Sequence, residues 1–286
     1  GADPALTTEA GSSLLYASCR FGHLGTVRRV MDLGVVGINQ PLTDGTTPLC
    51  VAAANGFLDI VKAVHEAGAD PTAHSNDGCT ALFSAAQMGE LAGARALVAG
   101  GCDPTVAHED GSTPLYVACW KGHAEIVEWL LQDGVALSTV NAACTNGATA
   151  LYIASQQGHL EIVKMLVAAG ARVHFPLQDG GTSLSIASNR GHVEVVQFLL
   201  AAGADCNLAC VTGATPLFIA CQNGHLEVVK ALIGRGCDVH QTFEDGASAV
   251  YIACEKGHKE CMEFVVAHGG DVNQACNDGI TPLYVA

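Results

Sequence analysis

The chain has 286 residues, and its 28 acidic against 13 basic side chains give a formal net charge of -15. Binding to nucleic acid rests on Lys and Arg displacing counterions from phosphates, so this balance argues against a nucleic-acid partner. Hydrophobic residues make up 49% and aromatic residues only 5%, which fits narrow packing of Ala, Leu and Val. No signal peptide, N-x-[ST] acceptor or run of about 18 apolar residues is present, so membrane insertion of this segment is not expected.

Residues 1–11, GADPALTTEAG, share the register of 68–78, GADPTAHSNDG, so the chain begins within a connector. A thirteen-residue pattern then returns along the sequence, clearest as GSTPLYVACWKGH at Gly111–His123. Its first glycine falls at Gly11, Gly45, Gly78, Gly111, Gly147, Gly180, Gly213, Gly246 and Gly279, with spacings of 33 except for 34 at the start and 36 after Gly111. A fixed period of this size marks a solenoid, whose units are too small to bury their own apolar face and must stack on their neighbours. The reading is a single array over 1–286. It has a connector at 1–10, repeats starting near 11, 45, 78, 111, 147, 180, 213 and 246, and a partial repeat at 279–286. Ala286 is equivalent to Ala118, inside a first helix, and neither end has the polar outer face that closes a stack, so a fragment of a longer array is expected.

Each unit reads as helix, turn, helix and extended connector. In the unit from Gly45, Thr47 caps the first helix and Pro48 suits its first position. Gly56 ends that helix. Leu58, Ile60, Val61 and Val64 form the apolar stripe of the second helix, and Asp59, Lys62 and Glu66 face water. Gly68 closes it, and Asp77-Gly78 suits a tight hairpin tip. Leu14 in place of Pro and Glu90 in place of His point to less regular first and third units. The three extra residues within Val135–Asn141 are expected to bulge at the hairpin edge.

The hexapeptides TPLCVA at 47–52, TPLYVA at 113–118 and TPLFIA at 215–220 match the T-P-L-H-x-A signature of a 33-residue repeat. The chain thus resembles the ankyrin repeat family over its full length. The resemblance implies an all-α solenoid of stacked helix pairs joined by β-hairpin-like connectors. The family histidine is replaced by Cys50, Phe83, Tyr116, Tyr152, Ser185, Phe218, Tyr251 and Tyr284, with a tyrosine hydroxyl as the available substitute for its hydrogen bond.

Signs of catalysis are missing: there is no GxxxxGK[ST], HExxH or GxSxG. The H-x-E tripeptides at His123, His159, His192, His225 and His258 recur at one period, so they read as turn and helix-start chemistry rather than metal ligands. Cys206 and Cys210 lack the paired C-x2-C of a zinc site. No cofactor or metal is expected. Cys19, Cys119, Cys221 and Cys254 share one register, too far apart in a stack for disulfides, and read as reduced buried thiols in a cytoplasmic protein. By the resemblance alone, Leu199, Asp205 and Asn207 outline a site at which an intracellular oxygenase hydroxylates some ankyrin repeats. The plainer reading is that Asn207 stabilises its connector.

The resemblance implies a protein-protein interaction module, a scaffold or adaptor without enzymatic activity, that binds on a concave face of hairpin tips and first helices. The alternative is the recognition arm of a larger enzyme or channel, such as a ubiquitin-ligase substrate receptor or a kinase. Carried onto this chain, the helix positions include Phe21, Met88, Trp120, Lys121, Gln156, Gln157, Asn189 and Arg190, with Trp120 as the leading anchor. The connectors (1–11, 34–45, 68–78, 101–111, 134–147, 170–180, 203–213, 236–246 and 269–279) hold fifteen acidic residues against Arg172 alone. Asp44, Asp77, Glu109, Asp110, Asp179 and Asp245 therefore mark an acidic edge. It suits a protein partner with a basic segment, bound by a monomeric array.

Overall fold

The computed structural model describes residues 12–34 and 37–286; the first connector, 1–11, with Asp3 and Glu9, lies outside them. Among the described residues the chain forms seventeen α-helices and isolated β-bridges but no strand. The chain divides into two compact units, Gly1–Thr145 and Asn146–Ala286. The first holds α1 (Leu14–Arg20), α2 (Leu24–Asp32), α3 (Pro48–Ala54), α4 (Leu58–Glu66), α5 (Ala81–Met88), α6 (Leu91–Ala99), α7 (Pro114–Lys121) and α8 (Ala124–Leu131). The second holds α9 (Ala150–Gln157), α10 (Leu160–Ala168), α11 (Ser183–Arg190), α12 (Val193–Ala201), α13 (Pro216–Gln222), α14 (Leu226–Gly234), α15 (Ala249–Glu255), α16 (Lys259–Ala267) and α17 (Pro282–Val285). The helices form the expected eight pairs and a ninth partial helix, an all-α repeat solenoid.

The first helices are set by their caps. Thr47 Oγ1 accepts the Cys50 N–H at 3.2 Å, and Thr80 and Thr215 do the same for Phe83 and Phe218 at 3.1 Å; each bond satisfies a donor that the helix start leaves orphaned. Leu14 and Glu90 do not disturb this pattern, contrary to the sequence expectation. Ser13 caps α1 through the Tyr16 N–H at 3.1 Å, and the helix pair α5 and α6 is as long as the others.

A glycine stops each first helix, and the residue after it opens the second helix without a side-chain cap. At four repeats that residue is a His whose imidazole reaches back into the preceding repeat. Nε2 of His123, His192 and His225 donates to the carbonyls of Gln87, Gln156 and Asn189, each at 3.0 Å. A Cβ on Gly89 would lie 2.8 Å from the His123 ring, and its φ of +84° already disfavours other residues. His123, His192, His225 and His258, four of the histidines of the H-x-E tripeptides, are thus ties between repeats.

In the first unit α1, α3, α5 and α7 pack in succession, as do α9, α11, α13, α15 and α17 in the second. Their interfaces are built of small residues, such as Ala52, Ala85, Ala118, Ala187 and Ala220, all at 0% exposure. Second helices contribute paired branched residues, including Ile60 and Val61, Ile126 and Val127, and Val228 and Val229, all buried. Leu58 is half-buried rather than a full member of this stripe.

The connectors end in three-residue hairpin tips, one residue longer than the Asp-Gly dipeptide suggested. At the connector 68–78 Gly78 N–H donates to Ser75 O at 2.9 Å and Ser75 N–H to Cys79 O at 3.0 Å, a turn followed by a left-handed Gly. Successive tips are laced together. Asn76 N–H donates to Asp44 O at 2.8 Å, Glu109 to Asp77 at 3.0 Å, Thr145 to Asp110 at 2.8 Å, and, in the second unit, Val211 to Asp179 and Asn277 to Asp245 at 2.8 Å.

The three extra residues of the fourth repeat are taken up before Thr145, which still donates to Asp110 O at 2.8 Å, and this corrects the expected hairpin bulge. Ala69 N–H closes onto Val64 O in the second repeat, whereas Ala136 N–H closes onto Leu130 O, one residue more. The other two are taken up in the 3-10 turn Leu137–Thr139. Ala136 and Val140 are 0% and 2% exposed, so the insertion packs inward through its apolar residues.

Candidate interaction surface

The tip aspartates are held by the backbone they shape. Asp44, Asp110, Asp179 and Asp245 each accept the N–H two residues on, from Thr46, Ser112, Gly181 and Ala247, at 2.8 to 2.9 Å. Asp77 Oδ1 accepts from the Ser75 hydroxyl and, at 3.4 Å, from the Cys79 N–H. A second set, Asp70, Asp103, Asp205, Asp238 and Asp271, makes the same bond earlier in each connector. Turn chemistry therefore accounts for more of the connector acidity than the sequence suggested. Glu109 and Glu244 lie outside this scheme, and all six of Asp44, Asp77, Glu109, Asp110, Asp179 and Asp245 are exposed.

His108 stands between two of these carboxylates, 3.4 Å from Asp77 and 3.2 Å from Asp110. The Ser75 hydroxyl, with help from His108 and the Cys79 amide, holds Asp77 below the usual carboxylate range against partial burial. Burial pushes Asp110 up, but the Ser112 hydroxyl and amide and His108 outweigh it, leaving the group lowered.

His108 also stacks on Phe83, with ring centroids 5.3 Å apart and planes at 24°. The residue that replaces the family histidine thus packs under the next hairpin, as Phe218 does under Phe243 at 5.2 Å and 11°. A 25-residue spacing in the sequence carries this signal, and sequence reasoning missed it.

At the ends of the first helices, the first unit exposes Phe21 (64%), Met88 (56%) and Trp120 (42%). The Lys121 ammonium lies 4.0 Å from the Trp120 ring centroid, a cation-π contact that leaves the ring at the surface. In the second unit the same register is polar. Gln157 and Arg190 are exposed, whereas Gln156 and Asn189 are half-buried, and the last two carry the carbonyls that receive His192 and His225.

Asn207 accepts the Asp238 N–H at 2.8 Å, as Asn39 accepts that of Asp70 at 2.7 Å, so the plainer reading of Asn207 has a definite structural basis. All thirteen cysteines are free. Burial pushes the Cys19 thiol up to about 12 and raises Cys119 and Cys221 as well. Among the described residues no helix is long and apolar enough to cross a membrane.

The family model for ankyrin repeats (3 copies) matches residues 1–75, 67–142, 94–176, 169–243 and 217–286. No curated protein matches the chain.

Proposed function

Since the chain belongs to the ankyrin repeat family, we propose that it is a non-enzymatic protein-protein interaction module, a scaffold or adaptor whose partner presents a Lys/Arg-rich segment. The binding face is formed by hairpin tips and first helices. The observation that carries this reading is the line of exposed carboxylates on successive tips, Asp44, Asp77 and Asp110 in the first unit, with Asp179 and Asp245 on tips of the second. Asx turns explain why aspartate stands there, and the field it creates is the same whatever selected it. Such a field raises the encounter rate of a basic chain and repels nucleic-acid phosphates.

Apolar anchoring comes from Met88 and Trp120, since exposed large apolar side chains supply contact energy that screened surface charges do not. The free thiols fit a reducing compartment such as the cytoplasm, and the array acts as a monomer. Fluorescence anisotropy with a Lys/Arg-rich and a Glu/Asp-rich peptide of equal length tests the reading. Saturable binding of the basic peptide alone is expected; equal binding, or none, of the two overturns it.

A further inference from the structure

In the third and seventh repeats a planar ring of the first helix stacks under a planar ring of the following hairpin: Phe83 under His108, and Phe218 under Phe243. The second repeat has Cys50 and Ser75 at the two equivalent positions. With both rings missing, a pocket of about 320 Å³ opens between the first helix and the hairpin. Its walls include Thr46, Cys50, Ser75 and Cys79, and its mouth is flanked by Asp44 and Asp77, from successive tips.

The chemistry of this pocket is specific. Asp44 commits one carboxylate oxygen to the Thr46 N–H at 2.8 Å, which leaves the other for a ligand. Asp77 commits Oδ1 to Ser75 and Cys79, with Oδ2 turned 3.4 Å from His108. Burial raises the Cys50 and Cys79 thiols, so the inner walls are neutral and weakly polar. The occupant must be flat, because the same register holds stacked rings in the third and seventh repeats, and cationic, because the rim is anionic. A guanidinium meets both demands: it is planar, weakly hydrated on its faces, and forks its donors onto carboxylates, whereas an ammonium is a compact, strongly hydrated point charge.

We propose that the Cys50/Ser75 pocket receives an arginine side chain of the partner, selecting arginine over lysine. This rests on the reading of the tips as a basic-segment surface and goes beyond it, since the acidic field alone does not distinguish the two cations.

The test compares an Arg-Gly and a Lys-Gly repeat peptide of equal length and charge, titrated against the wild-type chain and Cys50→Phe. That substitution restores the ring found at Phe83 and Phe218 and leaves the charge unchanged. Wild type should bind the arginine peptide roughly tenfold tighter, as forked charge-assisted hydrogen bonds allow. Cys50→Phe should abolish the preference and leave lysine-peptide binding as it was. A second readout needs no variant: the arginine peptide should protect Cys79 from N-ethylmaleimide, followed by peptide mass mapping, and the lysine peptide should not. Equal affinities for the two peptides, a preference that survives Cys50→Phe, or equal labelling of Cys79 with either peptide overturns the pocket while leaving the basic-segment reading intact. Failure of both peptides to bind overturns both.

Discussion

Gly93 offers a substitution whose expected sign runs against intuition for a buried site. It lies buried within α6, in the register that holds Ile60 in α4 and Ile126 in α8, which are 2% and 1% exposed. A Cβ placed on Gly93 meets only the Glu90 Cβ, at 3.9 Å, so a methyl group enters open space. Replacing Gly by Ala inside a helix is worth about 1 kcal/mol in propensity, and burying one methyl group adds up to about 0.8 kcal/mol. Gly93→Ala should therefore stabilise by about 1–2 kcal/mol, a rise of roughly 2–8 °C in the melting of a unit this size. Thermal and urea denaturation read by far-UV circular dichroism would measure it. Hydrogen exchange on α6 should accompany them, because repeat arrays need not unfold in two states. Gly89→Ala, in the same repeat, is the control with the opposite sign, since its φ is +84° and its Cβ would press on the His123 ring at 2.8 Å. An unchanged or lowered melting temperature for Gly93→Ala would show that the space is not open and refute the reasoning.

His225→Ala removes the 3.0 Å tie to Asn189 and should cost about 1 kcal/mol or somewhat more, because the carbonyl is left without its donor; a urea midpoint equal to wild type would discount the tie. Trp120→Ala should weaken binding of the basic partner by about 2 kcal/mol with little change in melting, given its 42% exposure; a large loss of stability at unchanged affinity would make the ring structural. Asp70 and Asp103 are lowered by bonds from the Thr72 and Thr105 hydroxyls and amides, and Asp77 and Asp110 are lowered as well. A lowered folded-state value means stability that is complete above the ordinary aspartate range and lost as pH falls through the folded values. Below the ordinary aspartate value of 3.8, hydrogen exchange should therefore open the connectors at 70–79 and 103–112 before those of the second unit; simultaneous opening counts against this.

The sequence made the helix pairs legible because Ser/Thr caps and stopping glycines are local devices, each written within a few residues. The tip row was legible for the same reason. What lay beyond it were contacts between repeats. Nothing local says that the imidazole of His225 seeks a carbonyl 36 residues earlier, although the glycine in contact with it, Gly191, recurs at a fixed offset. The pairing of Phe83 with His108 is hidden likewise, and so is the pocket left where Cys50 meets Ser75. The insertion after Gly111 was misplaced because length alone does not show which turn absorbs it; the buried Ala136 and Val140 decide that. The charge count, in turn, could not separate aspartates chosen by an Asx turn from acids such as Glu109.

The central claim is that the tip carboxylates steer a basic partner onto the surface, and the association rate tests it most directly. Stopped-flow mixing of a labelled Lys/Arg-rich peptide with the wild type and with Asp44→Asn/Asp77→Asn/Asp110→Asn should be followed from low to physiological salt. Asparagine preserves the turn, as Asn146 already accepts the Ala148 N–H at 2.9 Å, so the variant loses charge and keeps its fold. The account predicts a wild-type rate that falls steeply as the screening length shrinks to about 8 Å, and a triple variant that is slower at low salt and nearly flat across the series. A rate indifferent to both salt and substitution would contradict it.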